Sequence, residues 1–586
     1  MDRQEIIRQL FNNTYLGFVE HFEQACRILE DMCAVKIAQE DGRIRQISFR
    51  ELWHKSKKIA AYLQELDIGQ QKCVALLLEN RPEWAVCFFG AVLGGCAVVP
   101  IEIKLAEKEI SHIIGDCQSR VIFASREFLE KAVILRKTCP SLKWIICLDD
   151  IDFTLEGGDC ENIIGLAAII ENTVEPVISS VRDNNDVALI VYTSGTMGSQ
   201  KGVQLTLTNL SFQLRAYTKI LTPGFNDRFL SILPLSHTFE ITCGLLGPLF
   251  NGSAVVYLGS FKSKDIIQAI GEHKITLMVI VPLALKLIHN GIMRKVEKLT
   301  RWKRLCFWGA RFLCLSLRNI GRFLGPRLFR KIRTQIGTSL RAFVCGAAAL
   351  DPKITRDFEI FGITVLEGYG LTETSPVISV NRFRDNKIGS VGKPLGGIEV
   401  KILKEKDRDK EGEIITRGPH LMRGYYKDAE KTAQIIRDGW LHTGDIGYFD
   451  RKGFLYITGR IKNVIVTGKG KKIHPEEIET ELLRSPYIKD ACVFGSIAKK
   501  GLRKGTEEVK AIIVPDLDYF ISTAKLATQE QMQALIKQEI NTISRHLAGY
   551  KRVVDFRIYN KELPKTTTLK VKRRYVHKLF EDNDRI

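Results

Sequence analysis

Residues 192–202 read Tyr-Thr-Ser-Gly-Thr-Met-Gly-Ser-Gln-Lys-Gly, a set of groups suited to polyphosphate. Gly195, Gly198 and Gly202 leave the backbone bare, Thr193, Ser194 and Thr196 supply hydroxyls, and Lys201 supplies a long cation. Such a loop wraps phosphate oxygens with N–H and O–H donors, and glycine admits the positive φ angles this requires. The apolar run 187–192 reads as a buried strand that delivers the loop. No Gly-Lys-Ser/Thr follows at Walker spacing, so this is not the common P-loop. A surface hairpin has the same composition, and the loop alone leaves both readings open.

Three later stretches decide between them: Glu-Gly-Tyr-Gly-Leu-Thr-Glu-Thr at 367–374, Trp-Leu-His-Thr-Gly-Asp at 440–445 and Thr-Gly-Arg-Ile-Lys-Asn at 458–463. With the first loop, and in this order, they resemble the adenylate-forming (AMP-binding) superfamily of acyl-CoA synthetases, luciferase-like enzymes and peptide-synthetase adenylation domains. The resemblance runs from about residue 48 to 575. It implies attack of a carboxylate on the α-phosphate of ATP, giving acyl-AMP and pyrophosphate, then transfer of the acyl group to coenzyme A. Repulsion between anions is the obstacle, so positioning and cationic stabilisation carry the catalysis.

The resemblance also gives residues their roles. Tyr369 stacks on adenine, Thr372 bonds the α-phosphate, and Glu373 holds Mg²⁺ through a hard oxygen, with the Thr193 hydroxyl beside it. Glu367, Gly368, Gly370 and the small-residue turn Gly346, Ala347 and Ala348 line the nucleotide. Asp445 takes the two ribose hydroxyls, Arg460 is a second ribose contact and Lys462 is the hinge between domains. The tail Leu-Pro-Lys-Thr-Thr-Thr-Leu-Lys-Val-Lys-Arg-Arg, 563–574, is similar to the motif whose second lysine reaches the carboxylate, which is Lys570. Leu569 replaces a glycine there and stiffens the loop, with Lys565 and Lys572 as alternatives; Met197, Gln200 and Asn463 are further departures.

Leu-Pro-Leu-Ser-His-Thr-Phe-Glu, 233–240, resembles the motif whose histidine lines the acyl site, here His237. Ile241, Leu245 and Leu246 follow as apolar lining with no cation for a second carboxylate. An apolar slot gains about 0.8 kcal/mol per buried methylene. The long-chain fatty acid–CoA ligase branch is the expected identity. A fatty acid:acyl-carrier-protein ligase shares every motif, and a non-catalytic lipid-binding descendant is the contrasting class. Lys201, Glu373, Asp445 and Lys570 are all intact, which argues against the last.

At 586 residues, with 45% hydrophobic and 26% charged residues, the chain calls for several globular domains. Helical stretches alternate with β-rich runs from about 50 to 180 and again from 229 to 281, an α/β rhythm with a largely parallel sheet. The expected organisation is a large domain of layered α/β sheets plus a small barrel over 1–459, a hinge at 460–462 and a mobile α+β lid over 463–586. Residues 1–47 read as a helical lead-in, and Ser48 followed by Glu51 as a helix start. Residues 84–101 are uncharged but broken by Gly94-Gly95, and read as a buried helix and strand rather than a membrane span.

The net charge of +20 is concentrated at 294–333, with thirteen basic residues against Glu297. Arg304, Arg311, Arg318 and Arg322 recur at helical spacing among Trp302, Trp308 and Phe312, which suits an anionic membrane interface. The expected partners are therefore a fatty acid, coenzyme A or a carrier protein, and an anionic membrane surface, with no nucleic acid. The fourteen cysteines show no Cys-x-x-Cys spacing and suit reduced core thiols. The expected location is the cytoplasm, peripheral on the inner face of the membrane.

Overall fold

The computed structural model describes residues 16–38, 43–150, 162–174, 182–194, 200–317, 324–467, 471–497, 507–521, 528–565 and 571–582. Contacts divide the chain into two compact units, Met1–Glu399 with Thr416–Leu441, and Val400–Ile415 with His442–Ile586. The first unit is built on two sheets of short, fully buried strands. Runs such as Cys73–Leu77, Ala97–Pro100 and Val121–Ala124 are apolar at every position, as strands covered on both faces must be.

The eight-stranded sheet has six parallel strands, from Ile163–Gly165 at one end to Val187–Ser194. Beyond Val187–Ser194 the direction reverses twice, with Gln200–Thr206 antiparallel to it and Gly424–Tyr425 antiparallel to that. The nine-stranded sheet has a parallel centre and antiparallel strands at both edges. At its first edge Cys33–Ala38 pairs antiparallel with Ile44–Ser48, so the described part of the lead-in expected to be helical gives the helix Phe18–Leu29 and then two strands. The core includes Phe22 stacked on Phe89 at 3.6 Å between ring centroids, beside Phe18 and Phe250.

Residues 84–101 form the helix Pro82–Leu93 and the strand Ala97–Pro100, every residue buried. No described helix is long and apolar enough to cross a membrane. The helix Arg301–Ser316 turns Phe307 and Cys314 inward and leaves Trp302, Leu305 and Phe312 in solvent, 75%, 65% and 73% exposed. Arg311 does not share an outward basic face: its guanidinium clasps the buried carboxylate of Asp357, which also meets His289 at 2.8 Å. A buried acid attracts the nearest cation because little solvent screens it. Arg318 and Arg322 lie outside the described residues.

In the second unit the strands expected as a small barrel form a sheet in which Gly412–Arg417 lies between Glu399–Leu403 and Trp440–Phe449, with Leu455–Arg460 on the last of these. A second sheet pairs Ile488–Ile497 with Glu507–Pro515 and Asp555–Ile558. Helices Pro475–Leu482 and Gln529–His546 pack Ile478, Leu482, Ile536 and Ile540 against it. The expected division at 459 and the pivot at 460–462 concern domain motion and remain a proposal.

The helix start at Ser48 is as expected. Glu51 N–H donates to Ser48 Oγ, and Ser48 N–H donates to Glu51 Oε2 at 2.8 Å. That backbone donor holds the Glu51 carboxyl below its usual range, against a smaller opposing effect of burial. The depressed acid contributes stability above its unfolded pKa and loses it as pH falls through the folded value. Ser48→Ala should cost about 1 kcal/mol in denaturant unfolding at neutral pH. Glu51→Gln should lose less stability than wild type on acidification; parallel unfolding curves would contradict this.

Candidate active site

Two long strands, Val187–Ser194 and Gln200–Thr206, frame the phosphate loop. Thr193 pairs directly with Lys201 across the ladder, so hydroxyl and cation share one register position. Gly202 must be bare, because a Cβ there would lie 2.9 Å from Ile190 and 3.1 Å from the Tyr192 ring. Gly195, Thr196 and Gly198 and the side chain of Ser194 lie outside the described residues.

Lys201 Nζ sits 4.7 Å from the centroid of the Tyr425 ring, and the Tyr425 hydroxyl donates to Glu373 Oε1 at 2.8 Å. One tyrosine thus joins the loop lysine to the expected metal ligand. No three His, Cys, Asp or Glu side chains cluster to hold a metal among the described residues. A magnesium ion at Glu373 would take its other ligands from phosphate and water, the way Mg²⁺ prefers to bind.

Glu373 and Thr372 occupy a single 3₁₀ turn, Thr372–Thr374, after the strand Thr364–Gly370. Glycine is required at 370, since a Cβ would meet Pro376 O at 1.7 Å. The turn is tied from three sides. Gln213 Nε2 donates to Thr374 O and Val377 O, both at 2.8 Å. Thr242 Oγ1 reaches Ser375 O, and Met422 N–H donates to Glu373 O at 2.9 Å. Tyr369 pairs with Ser379 in the strand ladder. Glu367 points elsewhere: Thr355 Oγ1 donates to it at 3.2 Å, and burial raises its carboxyl to about 7.

The small-residue turn Gly346, Ala347 and Ala348 follows the strand Ala342–Cys345. Ala347 adopts φ +75°, and a Cβ on Gly346 would lie 3.1 Å from the Phe239 ring and 3.5 Å from Gly368 O. Phe239 comes from the His237 motif, so that motif lies directly under the small-residue turn.

Around His237 the loop is held by the carboxyl edge of the other sheet. Asn80 donates to Leu233 O and accepts from Leu235 N–H, while Ser236 Oγ donates to Glu102 Oε2 at 2.8 Å. His237 Nε2 lies 3.9 Å from the same carboxylate oxygen. Ile241, Leu245 and Leu246 ride on π-helical turns, Glu240–Leu246, and are packed into the domain core with Phe250 and Tyr257. All three are buried side chains of that cluster.

In the second unit Asp445 pairs with Arg460 across adjacent strands, and Arg460 Nε donates to Asp445 Oδ1 at 2.5 Å. Thr443 Oγ1 donates to Ile414 O and accepts from Asp445 N–H, which fixes the approach to the acid. Lys462 stands in the 3₁₀ turn Ile461–Asn463, and Asn463 donates to Glu476 at 2.8 Å. Lys570 lies outside the described residues; of its alternatives, Lys565 is bound to Asp490 at 2.6 Å and Lys572 sits beside the Tyr575 ring.

Sequence reasoning missed Tyr425, Asn80 and Glu102. Each acts through a partner more than fifty residues away or across a sheet edge, and only the glycine before Tyr425 hints at a constrained position.

The Glu240 carboxyl is wholly buried, with no hydrogen-bond partner for either oxygen among the described residues. Gly244, one turn on, makes room for it: a Cβ there would be 2.5 Å from the carboxyl. Burial pushes this acid up to about 8, with the nearby Ser231 hydroxyl opposing. A raised acid contributes stability that is complete below its unfolded pKa of 4.5 and is lost as pH rises through about 8. Glu240→Gln should therefore gain on wild type in unfolding free energy as pH is raised from about 4 to about 8.5, values that bracket this window. An unchanged difference between the two proteins would contradict the buried neutral acid.

Residues 22–426 match the AMP-binding enzyme family, and residues 462–583 match the AMP-binding enzyme C-terminal domain. A long-chain-fatty-acid–CoA ligase of Mycobacterium tuberculosis, FadD15, is 27% identical over 579 residues, covering 92% of both chains. Long chain acyl-CoA synthetase 7, peroxisomal, of Arabidopsis thaliana is 30% identical over 484 residues, 78% of this chain and 68% of that one. Among solved structures, the anthranilate CoA ligase AuaEII in complex with anthranoyl-AMP superposes with a TM-score of 0.79 at 23% identity, covering 98% of each chain. The Mycobacterium tuberculosis fatty acyl CoA synthetase gives 0.64 at 21%, covering 97% of this chain and 99% of that one. These two share the fold. With its large α/β unit and smaller C-terminal domain, the chain belongs to the AMP-binding enzyme family.

Proposed function

We propose that the protein is an AMP-forming acid–thiol ligase that activates a long-chain fatty acid with ATP and transfers it to coenzyme A. The observation that carries the reading is the meeting of Lys201 and Glu373 on Tyr425, a loop cation and a lone carboxylate placed for a metal-bound polyphosphate. When bound at Glu373, Mg²⁺ neutralises phosphate charge as a Lewis acid. The chain's residues do the rest. Lys201 meets phosphate oxygens, Thr372 donates to the α-phosphate, and Asp445, already oriented by Arg460, accepts from ribose hydroxyls. His237 and its loop, braced by Asn80 and Glu102, stand at the acid's entry. Lys570 is assigned to the fatty acid carboxylate and Lys462 to the pivot.

Coenzyme A is preferred over a carrier protein because the relatives named above act as acyl-CoA synthetases or fatty-acid–CoA ligases. We also place the protein in the cytoplasm, on an anionic membrane face. Of the fourteen cysteines, thirteen lie among the described residues, all as free thiols and twelve of them buried or half-buried, which suits a reducing compartment. Trp302, Leu305 and Phe312 face outward from a helix that also exposes Arg301 and Lys303, an apolar patch framed by cations.

Fatty-acid-dependent ATP–pyrophosphate exchange tests the enzyme reading. Palmitate should stimulate exchange, and Glu373→Gln should reduce it by roughly 100-fold. Wild-type protein that exchanges no pyrophosphate with any long-chain acid would leave a scaffold. Competition between coenzyme A and a carrier protein for the activated acid then identifies the acceptor.

For the membrane, changing Trp302, Leu305 and Phe312 together to Ser should release the protein from anionic vesicles in sedimentation. Arg311→Gln should instead lower thermal stability by unpairing buried Asp357. Wild-type protein remaining in the supernatant at low salt would contradict membrane docking.

A further inference from the structure

We propose that Tyr425 is a positioning residue for the phosphate chemistry, its hydroxyl orienting the Glu373 carboxylate and its ring face carrying the Lys201 ammonium. The inference rests on the ligase reading above. Tyr425 is buried at the rim of the eight-stranded sheet, on a strand of two residues held from both sides. Arg423 N–H donates to Gln204 O at 3.0 Å and Tyr426 N–H to Gly202 O at 2.7 Å, while Tyr425 N–H donates to Thr432 Oγ1 at 2.9 Å. The ring therefore has little freedom, and it reports the position of the strand that carries Lys201 to the turn that carries Glu373.

The chemistry of the contact suits a metal ligand. A lone carboxylate on a short turn rotates between several orientations; a fixed donor on one oxygen aims the other. A phenol does this without cancelling the charge, as a lysine or arginine partner would. A phenol is protonated throughout the physiological range, so its hydroxyl is a donor to the carboxylate there. On its other side the ring face attracts the Lys201 ammonium by a cation–π contact. Two opposite charges are thus held by separate parts of one side chain, each kept for the incoming nucleotide.

The test is a double-mutant cycle on the full-length protein, read by calorimetric titration of Mg²⁺ into the complex with α,β-methylene-ATP. Tyr425→Phe keeps the ring and should weaken Mg²⁺ about tenfold, the loss of one hydrogen bond to a charged group. It should leave metal-free nucleotide affinity unchanged. Adding Tyr425→Phe to Glu373→Gln should weaken Mg²⁺ no further, since both remove one interaction. Tyr425→Leu, which also removes the ring, should weaken metal-free nucleotide binding as well. Wild-type Mg²⁺ affinity in Tyr425→Phe, or additive losses in the double variant, would overturn the assignment even if thermal stability fell. If the cycle is non-additive but wild-type protein shows no fatty-acid-dependent exchange, Tyr425 keeps its role and the ligase reading fails.

Discussion

The reversal of strand direction at one edge of the eight-stranded sheet is the constraint on which the first unit's chemistry depends. Six parallel strands build a buried slab, and a parallel strand has to leave it through a long crossover. Val187–Ser194 and Gln200–Thr206 instead pair antiparallel, so the strands that flank the phosphate loop are fixed in register. The third strand, Gly424–Tyr425, then brings a tyrosine from more than two hundred residues away onto Lys201. Met422, just upstream, hydrogen-bonds the backbone of Glu373. Cation and phenol are therefore placed by backbone ladders, and the carboxylate by a short turn hydrogen-bonded to the same segment.

Burial governs the remaining acids. Asp445 is almost wholly buried but is compensated by Arg460, so a charge can persist where ribose hydroxyls need an acceptor. Asp357 is compensated by Arg311 and His289, which fastens the exposed basic helix to the sheet beneath it. Among the described residues Glu240 and Glu367 have no salt-bridge partner, and burial raises both. The same residue type is thus a charged ligand, a structural clasp or a neutral core group according to what faces it.

Much of this was legible in the chain because local chemistry enforces it. The all-apolar strands, the glycines at 202 and 370, the Ser48 capping box and the ordered motifs at Lys201, Glu373 and Asp445 each carry their reason within a few residues. Other features depend on distant partners. Helical spacing put Arg304 and Arg311 on one face, but it could not show that Asp357 waits beneath Arg311 and draws it inward. Ile241, Leu245 and Leu246 read as apolar from the chain alone, but their packing in one buried cluster with Phe250 and Tyr257 depends on distant partners. The strands 33–38 and 44–48 gain their stability from pairing with Ala254–Tyr257 and with each other, which no local propensity reveals.

The central claim is that a fatty acid carboxylate attacks the α-phosphate of ATP in a site built on Lys201, Tyr425 and Glu373. Isotope transfer tests it most directly. Palmitate carrying ¹⁸O in both carboxylate oxygens is turned over with ATP and coenzyme A, and the products are weighed by mass spectrometry. Attack at the α-phosphate followed by thiolysis leaves one ¹⁸O in AMP and one in the thioester. Label appearing in inorganic phosphate, with none in AMP, would place the attack at the γ-phosphate and contradict the account.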